Sequence, residues 1–483
     1  MSDQGDGGKP GAHRARKICG HAGVDPGVGG PPHADKGQLR LGIAGLGIAG
    51  SVLVPHVEAR PDFALTAGAD PNPAVRDGFA APGRVAYSSV TELCCADDVD
   101  VVYVATPTPC HAEHAIAALR GGKHVIVEKP MAVSMADAEA MIAEAEAADR
   151  LLVVGHSQSF EAPIRAMRAV VESGVLGPMR AINALYYTDW MYRPRHPDEL
   201  DPAKGGGVPF RQAAHHVDII RYLGGGELRS VRGRIGCWDP ERRGAGSYTA
   251  YLEFVDGTPA TVAYSGYDHF PSTELTFGIG EAGQVLNGYA VARRRLAAGA
   301  DEASEKRGAT GVSRQQELLR GGEHQPFFGF VLASCEHGDI RVSPQGLLVY
   351  ADAARVEIPL AGHPTGRQAL LDEAAHSVDA GEPPLHDGQW GLANLEVCTA
   401  LVESSATRAE VRLTRQKALS GGPDLPDVVA AATRGVEGGG FGSERSTGRQ
   451  PTADTGRRTT DQPRSNCAGG SGRQPRGDCF PQS

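Results

Sequence analysis

Two motifs about 80 residues apart carry the groups in this chain that could do chemistry. The first is Gly45-Leu46-Gly47-Ile48-Ala49-Gly50, directly after the apolar run Leu41-Gly42-Ile43-Ala44. The second is Glu128-Lys129-Pro130, at the end of the strand-like run His124-Val125-Ile126-Val127. In a strand–turn–helix setting the glycines suit a dinucleotide pyrophosphate. Gly45 allows the tight turn, Gly47 lets the backbone approach the phosphates, and Gly50 lets helix and strand pack closely. Ile48 and Ala49 lie in this binding turn, and the helix that follows offers the anion free N–H groups and a partial positive charge. Glu128 and Lys129 place a carboxylate and an ammonium at the carboxyl end of a strand, where open α/β sheets bind ligands. A lysine there can take the proton of a hydroxyl whose carbon gives up a hydride.

Other residues fit the same site. Asp70 closes the second strand candidate, 20 residues after Gly50. A carboxylate there accepts hydrogen bonds from ribose hydroxyls and repels a 2′-phosphate, which favours NAD; Arg76 nearby keeps NADP possible. Thr106 and Pro107 end the fourth strand candidate, where they suit the nicotinamide half of the cofactor. His111, just beyond, reads as a cap or packing residue.

The elements that must position these residues follow from apolar periodicity. Strands are expected at Arg40–Ala44, Phe63–Ala69, Val85–Tyr87, Val101–Ala105, His124–Val127 and Leu151–Val154. Helices are expected at Ala49–Glu58, His111–Arg120 and Ser134–Ala148, the first interrupted by Pro55. Ser134 reads as an N-cap with Asp137 in the first turn. Such alternation implies a parallel sheet with right-handed crossovers. Beyond about residue 156 the pattern turns to β runs: Arg180–Tyr187, Arg229–Cys237, Ser247–Phe254, Ala260–Tyr267 and Glu274–Gly278. Asp256-Gly257 marks a hairpin. Residues 291–325 read as a long loop or frayed helices, and Trp390–Ser405 as a final amphipathic helix. The domains expected are therefore 1–38, a disordered extension; 39–156, the dinucleotide-binding unit; 157–417, a substrate and oligomerisation domain with a mostly antiparallel sheet; and 418–483, a disordered tail.

Composition narrows the function classes. The 483 residues carry 48 Lys plus Arg against 58 Asp plus Glu, a net charge of −10 that argues against a general nucleic-acid binder. The apolar stretch Leu41–Val54 is broken by glycines and too short to span a membrane. The amino terminus lacks the apolar core of a secretory signal. Nine cysteines without a CxxC pair suggest reduced thiols in a cytoplasmic protein, and no metal site is indicated.

The order of the glycine motif, Asp70, Ala105-Thr106-Pro107, Gly122-Lys123-His124-Val125-Ile126-Val127-Glu128-Lys129-Pro130 and Gly205–Asp218 resembles the glucose–fructose oxidoreductase/inositol dehydrogenase family. The resemblance covers about 40–415. It implies a Rossmann parallel sheet followed by an α/β domain with an open sheet, through which a homo-oligomer (dimer or tetramer) would form. It implies that Lys129 reaches the substrate hydroxyl and nicotinamide, that Glu128 lies near the nicotinamide ribose, and that the peptide before Pro130 is often cis. His215 matches the family histidine, a second candidate for base or proton relay. Arg211 stands where many family members have an aspartate that handles substrate hydroxyls.

That departure puts a sugar or inositol substrate in doubt, because an arginine forks onto carboxylates. Spaced by four, Arg211 and His215 would share one helical face. Tyr192, Arg193 and Arg195 add an aromatic–basic cluster suited to a planar anion. Trp190–Gly226 and Gln325–Gly329 resemble the phthalate 4,5-cis-dihydrodiol dehydrogenase branch, and its relative that acts on 4-carboxy-2-hydroxymuconate semialdehyde is similar. The expected activity is NAD(P)-dependent oxidation of a carboxylated, aromatic-derived cis-dihydrodiol. Alternatives are oxidation of the semialdehyde hemiacetal, a sugar or inositol dehydrogenase, a cofactor-retaining lyase or glycosidase, and a non-enzymatic dinucleotide-binding redox sensor.

Overall fold

The computed structural model describes residues 37–155, 158–195, 197–267, 269–286, 291–302, 322–352 and 354–436, all within one compact unit. Six strands build the first sheet: β1 (Leu39–Ala44), β2 (Phe63–Ala69), β3 (Val85–Tyr87), β4 (Val101–Val104), β5 (His124–Glu128) and β6 (Leu152–Gly155). Their order is β3-β2-β1-β4-β5-β6 and every pairing is parallel. The chain order reverses between β1 and β4, which opens a crevice beyond their carboxyl ends. Helices α1 (Ile48–Glu58), α2 (Pro73–Phe79), α3 (Val90–Cys94), α4 (His111–Arg120) and α5 (Met135–Ala148) make the connections.

Most of these elements stand where the apolar pattern places them. Ser134 Oγ accepts the Asp137 N–H at 3.1 Å and starts α5. The first helix runs through Pro55, which lies in its last turn; the Ala59 N–H still closes onto the Pro55 carbonyl at 3.1 Å. The sequence pattern does not announce α2 and α3, because each is too short to display a helical period. Local capping makes them: Asn72 with Pro73 at the first position of α2, and a Ser89–Glu92 capping box on α3.

The second half contains α6 (Ala162–Glu172), β7 (Met179–Tyr187), α7 (Val208–Arg211), α8 (Ala213–Gly224), β8 (Leu228–Gly236), β9 (Ser247–Phe254), β10 (Pro259–Ser265), α9 (Val291–Ala297), β11 (Phe330–Cys335), β12 (Gly338–Val342), β13 (Gly346–Ala351), β14 (Arg355–Pro359), α10 (Gly366–Ala380), α11 (Gly388–Thr407), β15 (Val411–Arg412) and α12 (Pro426–Val436). Nine strands form one sheet in the order β14-β13-β12-β11-β7-β10-β9-β8-β15, antiparallel except where β10 runs beside β7. Asp256-Gly257 turns β9 into β10, with Gly257 at φ +89°. One face of the sheet is packed by α6, α8 and α11; the other presents Arg229, Arg232, Thr249, Tyr251 and Thr261.

Several expectations need correction. Glu274–Gly278 is not a strand: Ser272–Thr276 is a 3-10 turn, closed by Phe277 at φ +59°. The sequence pattern does not announce the four strands β11 to β14, between Phe330 and Pro359. Pro426–Val436 is a helix inside the stretch expected to be disordered, with Val428 and Ala432 buried against the second core. Of 291–325, Val291–Ala297 is helical and residues 303–321 lie outside the described residues, as do the ends 1–36 and 437–483. Cys94, Cys110, Cys237, Cys335 and Cys398 are free thiols, but Cys95 is disulfide-bonded, so the expectation of reduced thiols fails there. Cys94 is buried in the core and the neighbouring Cys95 is half-buried.

The nucleotide-binding sheet is completed by late sequence. From α10, Ala369, Leu370 and Leu371 pack with Leu41, Ile43 and Leu53 on one face. From α11, Leu392 and Leu395 pack with Val102, Val104 and Val127 on the other. This apolar burial ties both sheets into one body. Among the described residues, no helix is long and apolar enough to cross a membrane, and no group of three His, Cys, Asp or Glu is placed to hold a metal.

Candidate active site

A cleft of about 1880 Å³ opens beyond the carboxyl ends of β1, β4 and β5. At its floor, the Ala105 N–H bonds to the Ala44 carbonyl at 2.8 Å, so the loops after β1 and β4 touch. Gly45 is required there twice over: its φ is +89°, and a Cβ would lie 2.8 Å from the Ala105 carbonyl oxygen. At Gly50 a Cβ would lie 2.0 Å from the Gly45 carbonyl oxygen, so α1 could not sit so close to β1. Gly47 is different. A Cβ there would meet nothing, because its Cα faces the open cleft. Gly47 caps α1 without a side-chain hydrogen bond, and the first turn, with Ile48 and Ala49, carries no acidic residue. An open glycine, free helical N–H groups and no competing carboxylate fit a pyrophosphate.

Asp70 stands at the end of β2 beside this turn. Its Oδ2 accepts the Leu46 N–H at 3.1 Å and its Oδ1 the Asn72 N–H at 2.9 Å. The carboxylate is thereby fixed where a ribose diol would bind. Arg76 Nη1 donates to the Asp70 carbonyl oxygen at 2.7 Å.

On the nicotinamide side, Thr106, Pro107, Glu128 and Lys129 line the cleft together. The Lys129–Pro130 peptide is cis. Tyr103, buried in β4, donates its hydroxyl to Glu128 Oε1 and fixes that carboxylate. Thr106 Oγ1 lies 2.9 Å from His114 Nδ1. His111 is a bolt rather than a catalyst: its ring nitrogens lie 2.8 Å from the Thr106 carbonyl and 2.9 Å from the Pro130 carbonyl. It joins the two loops that carry the reactive groups.

Lys129 Nζ donates to the Arg211 main-chain carbonyl at 3.0 Å. Burial, then the positive charge of Arg211, pushes its pKa down to about 8, against the pull of Glu128 and Glu281. His215 lines the same cleft, 7% exposed, with its ring 4.8 Å from that of Phe328. Arg211 and His215 do not share a continuous helical face. Gln212, at φ −114° and ψ −39°, breaks the chain into α7 and α8. Both side chains still reach the cleft.

The basic cluster is more divided than its sequence suggests. Arg193 is held by Asp189 at 2.6 Å, Thr188 at 2.7 Å and Glu281 at 3.4 Å, so its charge is already matched. Tyr192 donates to Asp239 Oδ2 at 2.7 Å and carries the Arg293 guanidinium over its ring. Arg195 stacks on Trp190, 4.0 Å from the ring centroid, and reaches Glu199 at 3.4 Å. Arg211 faces Thr108 Oγ1 at 3.1 Å and Glu199 at 3.4 Å.

Residues 39–156 match the family model described as "Oxidoreductase family, NAD-binding Rossmann fold", and residues 164–285 match the GFO/IDH/MocA C-terminal domain. A relative from Comamonas testosteroni, 1-carboxy-3-chloro-3,4-dihydroxycyclo hexa-1,5-diene dehydrogenase, is 35% identical over 76% of this chain and 94% of its own. The chain belongs to the GFO/IDH/MocA oxidoreductase family.

It is accordingly an NAD-binding oxidoreductase. The 4-carboxy-2-hydroxymuconate-6-semialdehyde dehydrogenase of Sphingobium sp. is 30% identical over 37% of this chain and 56% of its own. A crystal structure of a Bordetella bronchiseptica RB50 protein is 38% identical, with a TM-score of 0.73 over 78% of this chain and all of the other. Levoglucosan dehydrogenase in complex with NADH and levoglucosan, 19% identical with a TM-score of 0.60 over 78% of this chain and 99% of its own, shares the fold.

Proposed function

We propose that this enzyme oxidises a carboxylated cyclic cis-dihydrodiol, 4,5-dihydro-4,5-dihydroxyphthalate being the candidate substrate and 4,5-dihydroxyphthalate the product. One observation carries the reading: a guanidinium, Arg211, stands in the cleft next to Lys129, where a sugar-oxidising relative would carry a carboxylate. A guanidinium binds a carboxylate in a two-pronged, oriented way and offers nothing comparable to a neutral polyol. The name of the Comamonas testosteroni relative, a dehydrogenase of a carboxylated cyclohexadiene diol, supports the same substrate class.

The bound nicotinamide supplies the hydride acceptor. Gly45, Gly47 and Gly50 with the first turn of α1 hold its pyrophosphate, Asp70 the adenosine ribose, and Thr106, Pro107 and Glu128 the nicotinamide half. Lys129 contacts the reacting hydroxyl. With a pKa near 8, a sizeable fraction of its amine is neutral and can take the hydroxyl proton as the carbon–hydrogen bond is broken. His215, which lines the same cleft, relays that proton. Arg211 and Arg195 orient the carboxylates, while Arg193 and Tyr192 shape the wall behind them. Loss of two electrons and two protons yields a hydroxy-dienone, whose tautomerisation to a catechol pulls the reaction forward. The exposed face of the second sheet, with Tyr251 and Thr261, is the surface proposed for homo-oligomer formation.

The test is NADH absorbance with purified protein, NAD and the phthalate dihydrodiol, beside a chlorinated monocarboxylate analogue, inositol and glucose. Turnover of the carboxylated diols alone is expected. Turnover restricted to inositol or glucose would overturn the role given to Arg211.

A further inference from the structure

Two arginines at the substrate end of the cleft reach one internal carboxylate. Glu199 Oε1 lies 3.4 Å from Arg211 Nη2 and 3.4 Å from Arg195 Nη1. The Glu199 main chain is anchored, since its carbonyl accepts the Gly207 N–H at 2.8 Å, just before α7. Its side chain is 12% exposed, against 28% for Arg211 and 11% for Arg195, so the carboxylate is more enclosed than the Arg211 guanidinium and about as enclosed as that of Arg195. Charge-assisted hydrogen bonds normally run at about 2.7–2.9 Å, so both contacts are long. Arg193 on Asp189, at 2.6 Å, shows what a closed pair in this same cleft looks like.

A carboxylate so placed has two opposite effects. It relieves the repulsion between Arg211 and Arg195, and it offsets their attraction for any incoming anion. We propose that Glu199 is a specificity-determining residue, an internal counter-ion with which a substrate carboxylate competes for Arg211 and Arg195. The inference rests on the carboxylate reading of Arg211 above. It adds that affinity for carboxylated ligands is set by a residue that touches no reacting atom. A neutral polyol has no charge to compete with Glu199 and is indifferent to it.

Phthalate serves as the anionic probe, titrated by calorimetry into the full chain saturated with NADH. In Glu199→Gln its Kd is expected to fall about fivefold, the scale of one partly exposed ion pair. NADH affinity serves as the control for an intact cofactor site. In an Arg211→Met background the Gln substitution is expected to give a smaller gain, because only Arg195 is then left for Glu199 to compete over. Glu199→Asp, which keeps the charge but draws it back from both guanidiniums, is expected to shift Kd in the same direction and covers the case of a Gln variant that melts early. An unchanged or weaker phthalate Kd in Glu199→Gln, with wild type binding normally, would show that Glu199 only holds its loop and would sink the inference alone. Absence of phthalate binding in wild type and variant alike would remove both the inference and the carboxylate reading.

Discussion

Lys129 Nζ donates to the main-chain carbonyl of Arg211 at 3.0 Å, and that bond joins the reactive group of the first sheet to the substrate side of the second. Because the acceptor is backbone, substitutions of the Arg211 side chain leave it in place. The two residues are therefore electrostatically coupled and yet separable by mutation.

Lys129→Met is expected to lower kcat by about 10²–10⁴-fold, the usual span for a proton-transfer group, with NADH affinity little changed. Steady-state kinetics and NADH fluorescence titration check the two halves. Near-normal turnover would remove Lys129 from the chemistry.

The pH profile follows from the depressed lysine. The neutral amine is the base, so kcat/KM for alcohol oxidation should rise with pH and flatten above about 8. Arg211 lowers that value by its positive charge, second only to burial. The inflection should therefore move upward in Arg211→Met. A profile that stays in place would mean that another group titrates.

Arg211→Met is expected to raise KM for carboxylated diols about 10- to 100-fold, the worth of a hydrogen bond to a charged group. Arg211→Lys should recover only part of this, since an ammonium cannot form the two-pronged contact. Equal kinetics on carboxylated and neutral substrates in the wild type would defeat the prediction before any mutant is made.

The first sheet was legible because its strands are short apolar runs alternating with helical patterns, and because Gly45, Asp70 and Lys129 sit at strand ends. The second half was harder. The residues next to Gln212 carry no Pro or Gly to mark the break there, and Arg211 and His215 keep their helical spacing in sequence while lying on two helices. The fate of the arginines was not legible either. Asp189, Glu281 and Glu199 meet Arg193, Arg195 and Arg211 partly across long sequence distances, Glu281 being 88 residues from Arg193. The return of α10 and α11 to the first sheet is likewise a property of the folded chain: Leu370 and Leu392 look like any other apolar positions of amphipathic helices.

Asp70→Asn should weaken discrimination against NADP. The carboxylate is fixed by the Leu46 and Asn72 N–H groups and would face a 2′-phosphate as a like charge. Asparagine keeps one acceptor and removes the repulsion. The NAD-over-NADP ratio in kcat/KM is expected to fall about 10- to 100-fold, the scale of a relieved like-charge contact of a few kcal/mol. An unchanged ratio would place cofactor selection elsewhere, with Arg76 the next position to test.

Glu161, which starts α6 and lines the cleft, links pH to stability. Its Oε2 accepts the Gly366 N–H at 3.0 Å, yet burial pushes its pKa up to about 7. The folded chain thus binds this proton more tightly than the unfolded chain does. The sign follows: the contribution is fully present below the ordinary carboxylate range and is lost as pH rises through about 7. Glu161→Gln keeps an acceptor for Gly366 and cannot ionise. Without cofactor it should be more stable than wild type at pH 8, by about 1–3 kcal/mol, with the gain shrinking towards zero near pH 4. Thermal melts at the two pH values check this. An equal gain at both would trace the effect to packing rather than to the buried charge.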